Sequence, residues 1–306
     1  MNFSLGVQRE LPFGIFVEAN GVGNLGRHLT RQRDINSVSF ERTIANLALP
    51  AAQQLGTKAL RPYKGFSNIN QRTSDATSHY YALQLYAAKR KGDLLATVSY
   101  TWSKVLTDAN VLTEAAEEGL SNRDFNFGPA TFDRRHIFVA TYSYAIPFFK
   151  NSNGLVKALF HGCEISGLTR LQAGRPYTIT GSPPTGNRRA DVNDSDLYIR
   201  ENRQWLKPAA FSPAPPTRLG NSGVGIVTGP MLAVTDFSIR KRFRFGEKRD
   251  LRLQGDVFNA FNRNNFSNIN TLCTSSSNGV FTSTGFGTLT TSGPGRSIQL
   301  GIKFGF

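Results

Sequence analysis

The chain has little of what most enzymes and helical membrane anchors need. No apolar run approaches the roughly 18 residues of a membrane-spanning helix, which excludes a helical anchor. Only two cysteines occur, Cys163 and Cys273, and they belong to no recognisable motif. A Gly-x-Ser-x-Gly sequence is missing, so nucleophilic catalysis of that type has no starting point. These absences predict a protein that is not an enzyme.

The sequence matches metal-binding and nucleotide-binding motifs only in part. The acidic stretch 191–196 offers oxygen ligands, but it lacks the glycine and the final glutamate of a calcium loop, so a solvated loop is favoured. Glycines at 21, 23 and 26 have dinucleotide-binding spacing. The polar Glu18 and Asn20 before them do not suit a buried parallel strand, and a strand end with a glycine turn is favoured instead. Four histidines lie too far apart to pair as metal ligands: His28, His79, His136 and His161. The sequence predicts no cofactor and no metal.

The positive charge is scattered along the chain. The formal net charge is +15, which in a soluble protein would suggest nucleic acid as a partner. The basic groups at 89–91 and 240–244 fall at strand ends or on the polar face of a strand. We therefore expect solvated or lumen-facing charge and no nucleic-acid partner.

What the chain does contain is typical of many strands joined by turns: 23 Phe, 9 Tyr and 29 Gly. Residues 94–103 alternate most clearly, with Leu94, Ala96, Val98, Tyr100 and Trp102 on one face. Ten residues are close to the roughly 9–11 that cross a bilayer as a tilted strand. The same test predicts about nine strands, at 2–10, 13–24, 79–90, 93–105, 134–148, 163–181, 231–245, 249–262 and 295–306.

The connections between these strands alternate between short and long. Outer-membrane barrels have this asymmetry, because their periplasmic turns are short and their extracellular loops are long. The stretches 182–184, 213–216 and 274–279 are polar and rich in Pro, Ser or Gly, so we expect them to be mobile and exposed. The predicted fold is all-β: an antiparallel transmembrane β-barrel meander, the C-terminal part of a larger barrel.

Several phrases resemble the barrel of the Oar-like TonB-dependent receptors. They cover nearly the whole chain: LGVQREL (5–11), VEANGVG (17–23), YALQ (81–84), YTWSK (100–104), DRRH (133–136), IPF (146–148), SG (166–167), GRPY (174–177), FNAFN (258–262) and RSIQLGIKFGF (296–306). The resemblance implies an outer-membrane location in a Gram-negative type of bacterium. It also implies uptake of a solute, unknown here, that extracellular loops capture.

The resemblance further implies partners and missing parts. Expected partners are outer-membrane lipid, the barrel-assembly machinery, the solute, and TonB through an N-terminal region. Barrels of this class have about 22 strands around a plug. We therefore expect residues 1–306 to be the C-terminal part of the barrel without the plug domain. A truncated gene model would explain this, and it agrees with an N-terminus that has no secretion signal.

The candidate site residues lie on strands. The apolar face of the last strand predicts an assembly signal in Phe306, Phe304 and Ile302, since barrels resembling this one end in an aromatic residue that the assembly machinery recognises. A lipid-facing closing strand without a separate signal is the alternative. Tyr100 and Trp102 are expected to face lipid.

Two further expectations concern polar side chains and thiols. Arg252 and Asp256 share the polar face of one strand, where a structural ion pair is favoured over a substrate site. Cys163 and Cys273 are expected at opposite ends of the barrel and therefore unbridged. The alternative for the whole chain is a soluble or surface-attached β-rich carbohydrate-binding module, whose aromatics would stack on sugars.

Overall fold

The computed structural model describes residues 1–109, 123–148, 154–182, 189–215, 218–246, 249–274 and 284–306. Nine long strands dominate it, and we number them in chain order. They are β1 Asn2–Leu11, β2 Ile15–Asp34, β3 Asn70–Lys89, β4 Leu94–Thr107, β5 His136–Ala145, β6 Cys163–Gln172, β7 Leu232–Phe245, β8 Arg249–Phe258 and β9 Ser297–Gly305. All nine are the strands that the sequence predicts.

The nine strands form one sheet in which each strand pairs antiparallel with the next in the chain. The same order continues from β5 to β9. Within the described residues β1 and β9 do not pair with each other, so the sheet is an open wall. The antiparallel meander and the count of nine strands are confirmed. A small strand, Gly128–Pro129, adds to the β4 edge.

The connections alternate between the two ends of this wall. We call one end the turn end, where Pro12–Gly14 forms a 3-10 turn and residues 90–93 join β3 to β4. The helix α3, Gly154–Phe160, follows β5 at the same end. At the other end, the loop end, lie the connections 35–69, 108–135, 173–231 and 259–296. This asymmetry follows from the meander together with the uneven lengths that the sequence shows.

The first long connection is shorter than predicted, because β2 and β3 continue well beyond 24 and 79. Their paired extension, 25–34 with 70–78, crosses a register shift between Gly26 and Leu29. The carboxylate of Asp75 receives two hydrogen bonds from the buried Arg31 guanidinium, at 2.8 and 2.9 Å. Few residues there alternate between apolar and polar types, so the sequence carries little strand signal.

The tip of this extension is organised around the buried Asn36. Its side-chain amide donates hydrogen bonds to the carbonyls of Tyr63, Phe66 and Ser67, and its amide oxygen accepts one from the Tyr63 N–H. Between Asn36 and Tyr63 the chain forms two short helices, α1 Phe40–Leu47 and α2 Thr57–Leu60. None of the helices in the described parts of the chain is both long and apolar enough to cross a membrane.

The two C-terminal loops fold together into a unit that we call the loop cap, comprising the described residues of 173–231 and 259–296. Its strands are Pro176–Tyr177, Thr180–Ser182, Ala190–Val192, Tyr198–Glu201, Gln204–Leu206, Phe211–Pro213, Val227–Thr228, Phe266–Ile269, Leu272–Thr274 and Leu289–Ser292. One pair joins the two loops in parallel, Thr180–Ser182 with Leu272–Thr274. The 3-10 turns Ala51–Gln53, Arg123–Asn126 and Pro208–Ala210 complete the structure.

The loop cap has its own hydrophobic core. The buried members of that core are Ile179, Ala190, Leu206, Ala210, Phe211, Val227, Ile269, Cys273, Phe286 and Leu289. Phe211 and Phe286 meet edge to face at 5.5 Å between ring centroids. The expectation that 213–216 is mobile and exposed is wrong at Ala214, which is buried. Residues 183–184 and 275–279, for which the same was expected, lie outside the described residues.

Candidate functional site

The strand registers give the wall two chemically different faces, because directly opposed residues of an antiparallel pair lie on the same face. Val98 lies between Ala87 on β3 and Ala140 on β5. The same face, which we call the apolar face, continues to both edges of the wall. It carries Leu5, Val7, Val17, Ala19, Leu83, Leu85, Ile165, Ile239, Leu253, Leu300 and Ile302. Several of these side chains are exposed, which in a water-soluble protein would be costly.

Aromatic side chains on the apolar face fall in two rows that flank the aliphatic residues. Toward the loop end lie Phe3, Tyr81, Tyr100, Trp102 and Phe138. Toward the turn end lie Tyr144, Phe243, Phe245 and Phe304. Tyr142 and Phe237, both opposite Gly167, lie between the two rows with their ring centroids 6.3 Å apart. The basic residues of this face lie toward the strand ends: Arg9, Lys89, Lys241 and Arg249 toward the turn end and Lys104 toward the loop end. The expectation that the basic group 240–244 lies on the polar face or at a strand end is therefore wrong at Lys241, which is opposite Leu253. Two aromatic rows around an apolar band are the arrangement found at the two membrane interfaces of a transmembrane barrel.

Tyr100 and Trp102 share this face, as the sequence predicts. The Trp102 side chain is 50% exposed. Tyr100 is half-buried, because its ring stacks on His136 and its hydroxyl lies 2.8 Å from His136 Nδ1. That both contact lipid stays a prediction.

The predicted assembly signal lies at the free edge of β9. Ile302 is opposed to Leu253 and Phe304 to Leu251 on β8, so both lie on the apolar face. Phe306 follows the last paired residue and is 97% exposed, with its ring 6.3 Å from that of Phe304. All three side chains are accessible, and their recognition by an assembly factor stays a prediction.

The polar face of the wall carries ion pairs and hydrogen bonds. Asp250 accepts from both Arg242 and Arg252, at 3.0 and 2.6 Å. Asp256 instead accepts from Ser238 and Gln254. Arg252 and Asp256 therefore share a face as expected, but they do not form one ion pair. Residues four apart on one strand are about 13 Å apart along it, which is too far for direct contact.

A buried carboxylate holds together part of the loop cap. Asp191 receives two hydrogen bonds from the Arg218 guanidinium, at 2.7 and 2.5 Å, and one from the Asn221 N–H. Burial alone would raise its pKa, but the hydrogen bonds to Arg218 and Asn221 hold the pKa of Asp191 below its usual range.

Arg189 connects this loop to the connection between β4 and β5. Its buried guanidinium lies 3.5 Å from the centre of the Phe125 ring. It also donates hydrogen bonds to the Phe125 carbonyl and to Asn126 Oδ1.

The acidic stretch 191–196 pairs with cations of the protein itself. The expected solvated loop is wrong at Asp191, which is buried, and agrees with the exposed side chains of Asp194 and Asp196. Asp194 accepts from Lys207 at 2.8 Å, and this hydrogen bond lowers the pKa of Asp194. Asp196 lies 3.7 Å from the same ammonium group. Within the described residues, no group of His, Cys, Asp and Glu side chains could hold a metal ion.

Glycines 21, 23 and 26 lie inside the antiparallel strand β2, paired on both sides or at its register shift. No helix follows them, so the dinucleotide motif has no structural basis. The expected glycine turn is also wrong, because β2 continues to Asp34.

The two cysteines are free thiols in different environments. Cys163 begins β6 at the turn end and is half-buried. Cys273 lies in the core of the loop cap, where burial, with a smaller effect from Asp191, raises the pKa of its thiol to about 12. This is the arrangement that the topology predicts.

Sequence reasoning missed two clusters at the loop end. In one, Arg175 lies with its guanidinium 4.5 Å from the centre of the Tyr177 ring, and Arg134, just before β5, and Arg170, on β6, lie on adjoining segments. The other is the hairpin of Tyr198 and Trp205, whose rings lie 4.5 and 5.5 Å from the Arg200 guanidinium. Arg134 is separated from Arg170 and Arg175 by the β5–β6 hairpin, and the second cluster falls within one short hairpin of a loop, so neither has a spacing that matches a known motif. In the sequence, residues 174–177 (GRPY) are recognisable only as part of the family resemblance.

No curated protein sequence matches the chain. Among solved structures, the outer membrane transporter YddB from Escherichia coli is similar, with a TM-score of 0.49 and 11% identity over 100% of this chain and 32% of that one. FpvA from P. aeruginosa, solved with bound pyoverdine, has a TM-score of 0.48 and 11% identity over 100% and 27%. The chain thus spans about a third or less of each transporter.

A family model described as "Outer membrane beta barrel domain" matches residues 1–299. This match covers the first eight long strands and the first three residues of β9. The apolar and polar faces, the aromatic rows and the alternation of turns and loops are what such a domain requires. The chain therefore belongs to the outer membrane beta barrel domain family and lies in the outer membrane.

Proposed function

We propose that this chain forms the wall and the extracellular loops of a TonB-dependent receptor that takes up a solute. The observation that carries the proposal is the loop cap. A barrel that only spans the membrane needs no second hydrophobic core, yet the long loops of this chain build one at a single end of the wall. A folded loop surface can present side chains to a solute in fixed positions.

The proposed partners of the chain are lipid, a plug domain and TonB. The apolar face contacts lipid, with Tyr100 and Trp102 in the aromatic row at the loop end. A plug and a TonB-contacting segment are supplied from outside this chain, and TonB provides the energy for uptake. We also propose that the chain catalyses no reaction, since within the described residues no side-chain cluster suits a metal and the charged groups of the acidic loop are paired.

Uptake can be tested without knowing the solute. Three strains are grown in the same medium: one with the receptor that contains this chain, one with its gene deleted, and one lacking TonB. The solutes remaining in the medium are then measured by mass spectrometry. We expect at least one solute to be depleted by the first strain alone. Equal depletion by all three strains would contradict the proposal.

The family match does not fit the alternative of a soluble carbohydrate-binding module. The family match and the exposed apolar face place the chain in the outer membrane rather than in solution. Tyr198 and Trp205 form an aromatic pair in the loop cap on which a sugar could stack. The Arg200 guanidinium already lies over both rings. A sugar would have to displace that guanidinium to stack on the rings.

The proposed assembly signal predicts that Phe306 acts through its position. Phe306→Leu keeps most of the apolar area but removes the terminal ring. We expect a several-fold lower yield of the receptor in the outer membrane, and an equal or larger loss when Phe306 is deleted. Phe3→Leu, the same substitution on the apolar face of β1, is the control. Unchanged yield for both Phe306 variants would leave only a lipid-facing closing strand.

A further inference from the structure

Three arginines lie on neighbouring segments at the loop end of the wall. Arg170 lies on the polar face near the end of β6, opposite Val139 and Val234. Arg134 precedes β5, and Arg175 lies in the turn that follows β6. We call these three residues the arginine cluster.

The backbone holds the arginine cluster in place. The Ala173 N–H donates to the His136 carbonyl at 2.8 Å, which fixes the turn after β6 against the start of β5. The Gly229 N–H donates to the Arg175 carbonyl at 2.9 Å. A Cβ atom at Gly174 would lie 1.9 Å from the Gly229 carbonyl oxygen, so only glycine fits at this position. The cluster is therefore part of a tightly packed turn.

The hydrogen bonds of the cluster leave donors unused. Arg175 lies over the Tyr177 ring at 4.5 Å and donates from Nη2 to Asn268 Oδ1 at 3.0 Å, but its buried Nε has no partner. Arg170 donates to Gln172 Oε1, and Arg134 to the Asp133 carbonyl. Within the described residues none of the three forms a salt bridge. A buried donor without an acceptor costs free energy unless a ligand supplies one.

Like charges close together add to this cost. Burial first, then the nearby Arg175 and, more weakly, Arg170 lower the pKa of Arg134, while Tyr177 and Asp133 oppose the shift. The Asp133 carboxylate is already engaged, since its Oδ1 accepts the Val105 N–H at 3.0 Å. It does not neutralise the cluster as a whole.

We propose that the arginine cluster binds an anionic group, a carboxylate or a phosphate, of the solute that enters the barrel from the loop end. The planar guanidinium groups offer paired N–H donors that match such oxyanions. The proposal rests on the uptake function proposed above and names the class of solute. The polar face carries Arg170, so the bound anion lies on the lumen side rather than in the lipid.

Binding is measured by isothermal titration calorimetry on the full chain in detergent at low salt, with citrate and inorganic phosphate as separate probes. We expect at least one probe to bind with millimolar or tighter affinity. The double variant Arg170→Gln/Arg175→Gln should weaken that binding at least about tenfold, since it removes two charged donors. Arg175→Lys keeps the positive charge but replaces the planar guanidinium and its paired N–H donors by an ammonium group. This variant should bind the probe more weakly than the unaltered chain.

The matched control is Arg244→Gln, which removes one positive charge from the polar face opposite Asp250, near the turn end. It should leave binding unchanged. No binding of either probe to the unaltered chain, or an equal loss in the control, would overturn the proposal. Fold is checked for each variant by heat-dependent migration on gels. Anion binding without TonB-dependent depletion would refute the uptake function alone, and depletion without anion binding would refute this inference alone.

Discussion

The wall and the loop cap remove their apolar side chains from water in opposite ways. In the wall, apolar side chains such as Ile239 and Leu300 are exposed, and lipid is the apolar phase that receives them. In the loop cap, Leu206 and Ile179 are fully buried by other parts of the same two loops. The wall is therefore stabilised by its surroundings, whereas the cap is stabilised in the way of a small soluble domain.

This difference separates two kinds of sensitivity. The wall should tolerate changes of size on the apolar face but not the introduction of charge, because lipid adapts to shape and does not solvate ions. The cap should respond strongly to lost volume, because its core is packed by fixed neighbours. Three substitutions test this difference between the wall and the loop cap.

Leu206→Ala should loosen the loop cap and leave the wall intact. Removing a fully buried leucine side chain costs about 2–5 kcal/mol. The native Cys273 thiol reports the effect, because it lies in the same core and the raised pKa keeps it unreactive when the cap is closed.

Labelling with a maleimide should become much faster in the Leu206→Ala variant. The control is Leu272→Ala, which truncates an exposed leucine next to the same cysteine. Similar labelling rates for Cys273 in both variants would show that the cap has no cooperative core.

Val98→Arg should destabilise the wall by about 2–4 kcal/mol, because it places a charge on the apolar face near the middle of β4. Ser99→Arg introduces the same charge on the polar face, where Ser99 lies opposite Val139, and should cost about 1 kcal/mol or less. Urea titration of protein folded into lipid vesicles measures both. Equal losses would mean that the two faces are not separated by lipid and water.

Arg218→Gln should weaken the loop cap by about 1–3 kcal/mol, because it leaves the buried Asp191 carboxylate with fewer donors. The pair also predicts a pH dependence. The lowered pKa of Asp191 means that its contribution is present above the unfolded value of about 4 and is lost as the pH falls through the folded-state value.

Amide hydrogen exchange in the cap, compared between pH 6 and pH 3, measures this dependence. Lys207→Gln is the control, because its pair with Asp194 is exposed to solvent and should contribute little to stability. A cap that is equally protected at both pH values, with and without Arg218, would assign the pair no stabilising role.

The sequence predicts the wall well and the loop cap poorly, for a physical reason. A strand between lipid and water must alternate, so residues 94–103 and the last strand show their faces directly. The extension of β2 and β3 carries few apolar residues on either side and shows no alternation, so the sequence does not indicate it. The cap core is assembled from single residues such as Phe211 and Phe286, far apart in sequence. Arg134 and Arg175 are also far apart in sequence, and only the folded turns place their segments side by side.

The paired extension of β2 and β3 also determines how far the molecule reaches. Each of these strands has 20 residues, about twice what a tilted strand needs to cross a bilayer. Beyond Ser78 the extension loses its pairing with β4 and continues as a two-stranded ribbon. At roughly 3.3 Å per residue, it carries the tip around Asn36 on the order of 20–30 Å beyond the lipid. An antibody raised against helix α1 should therefore bind intact cells.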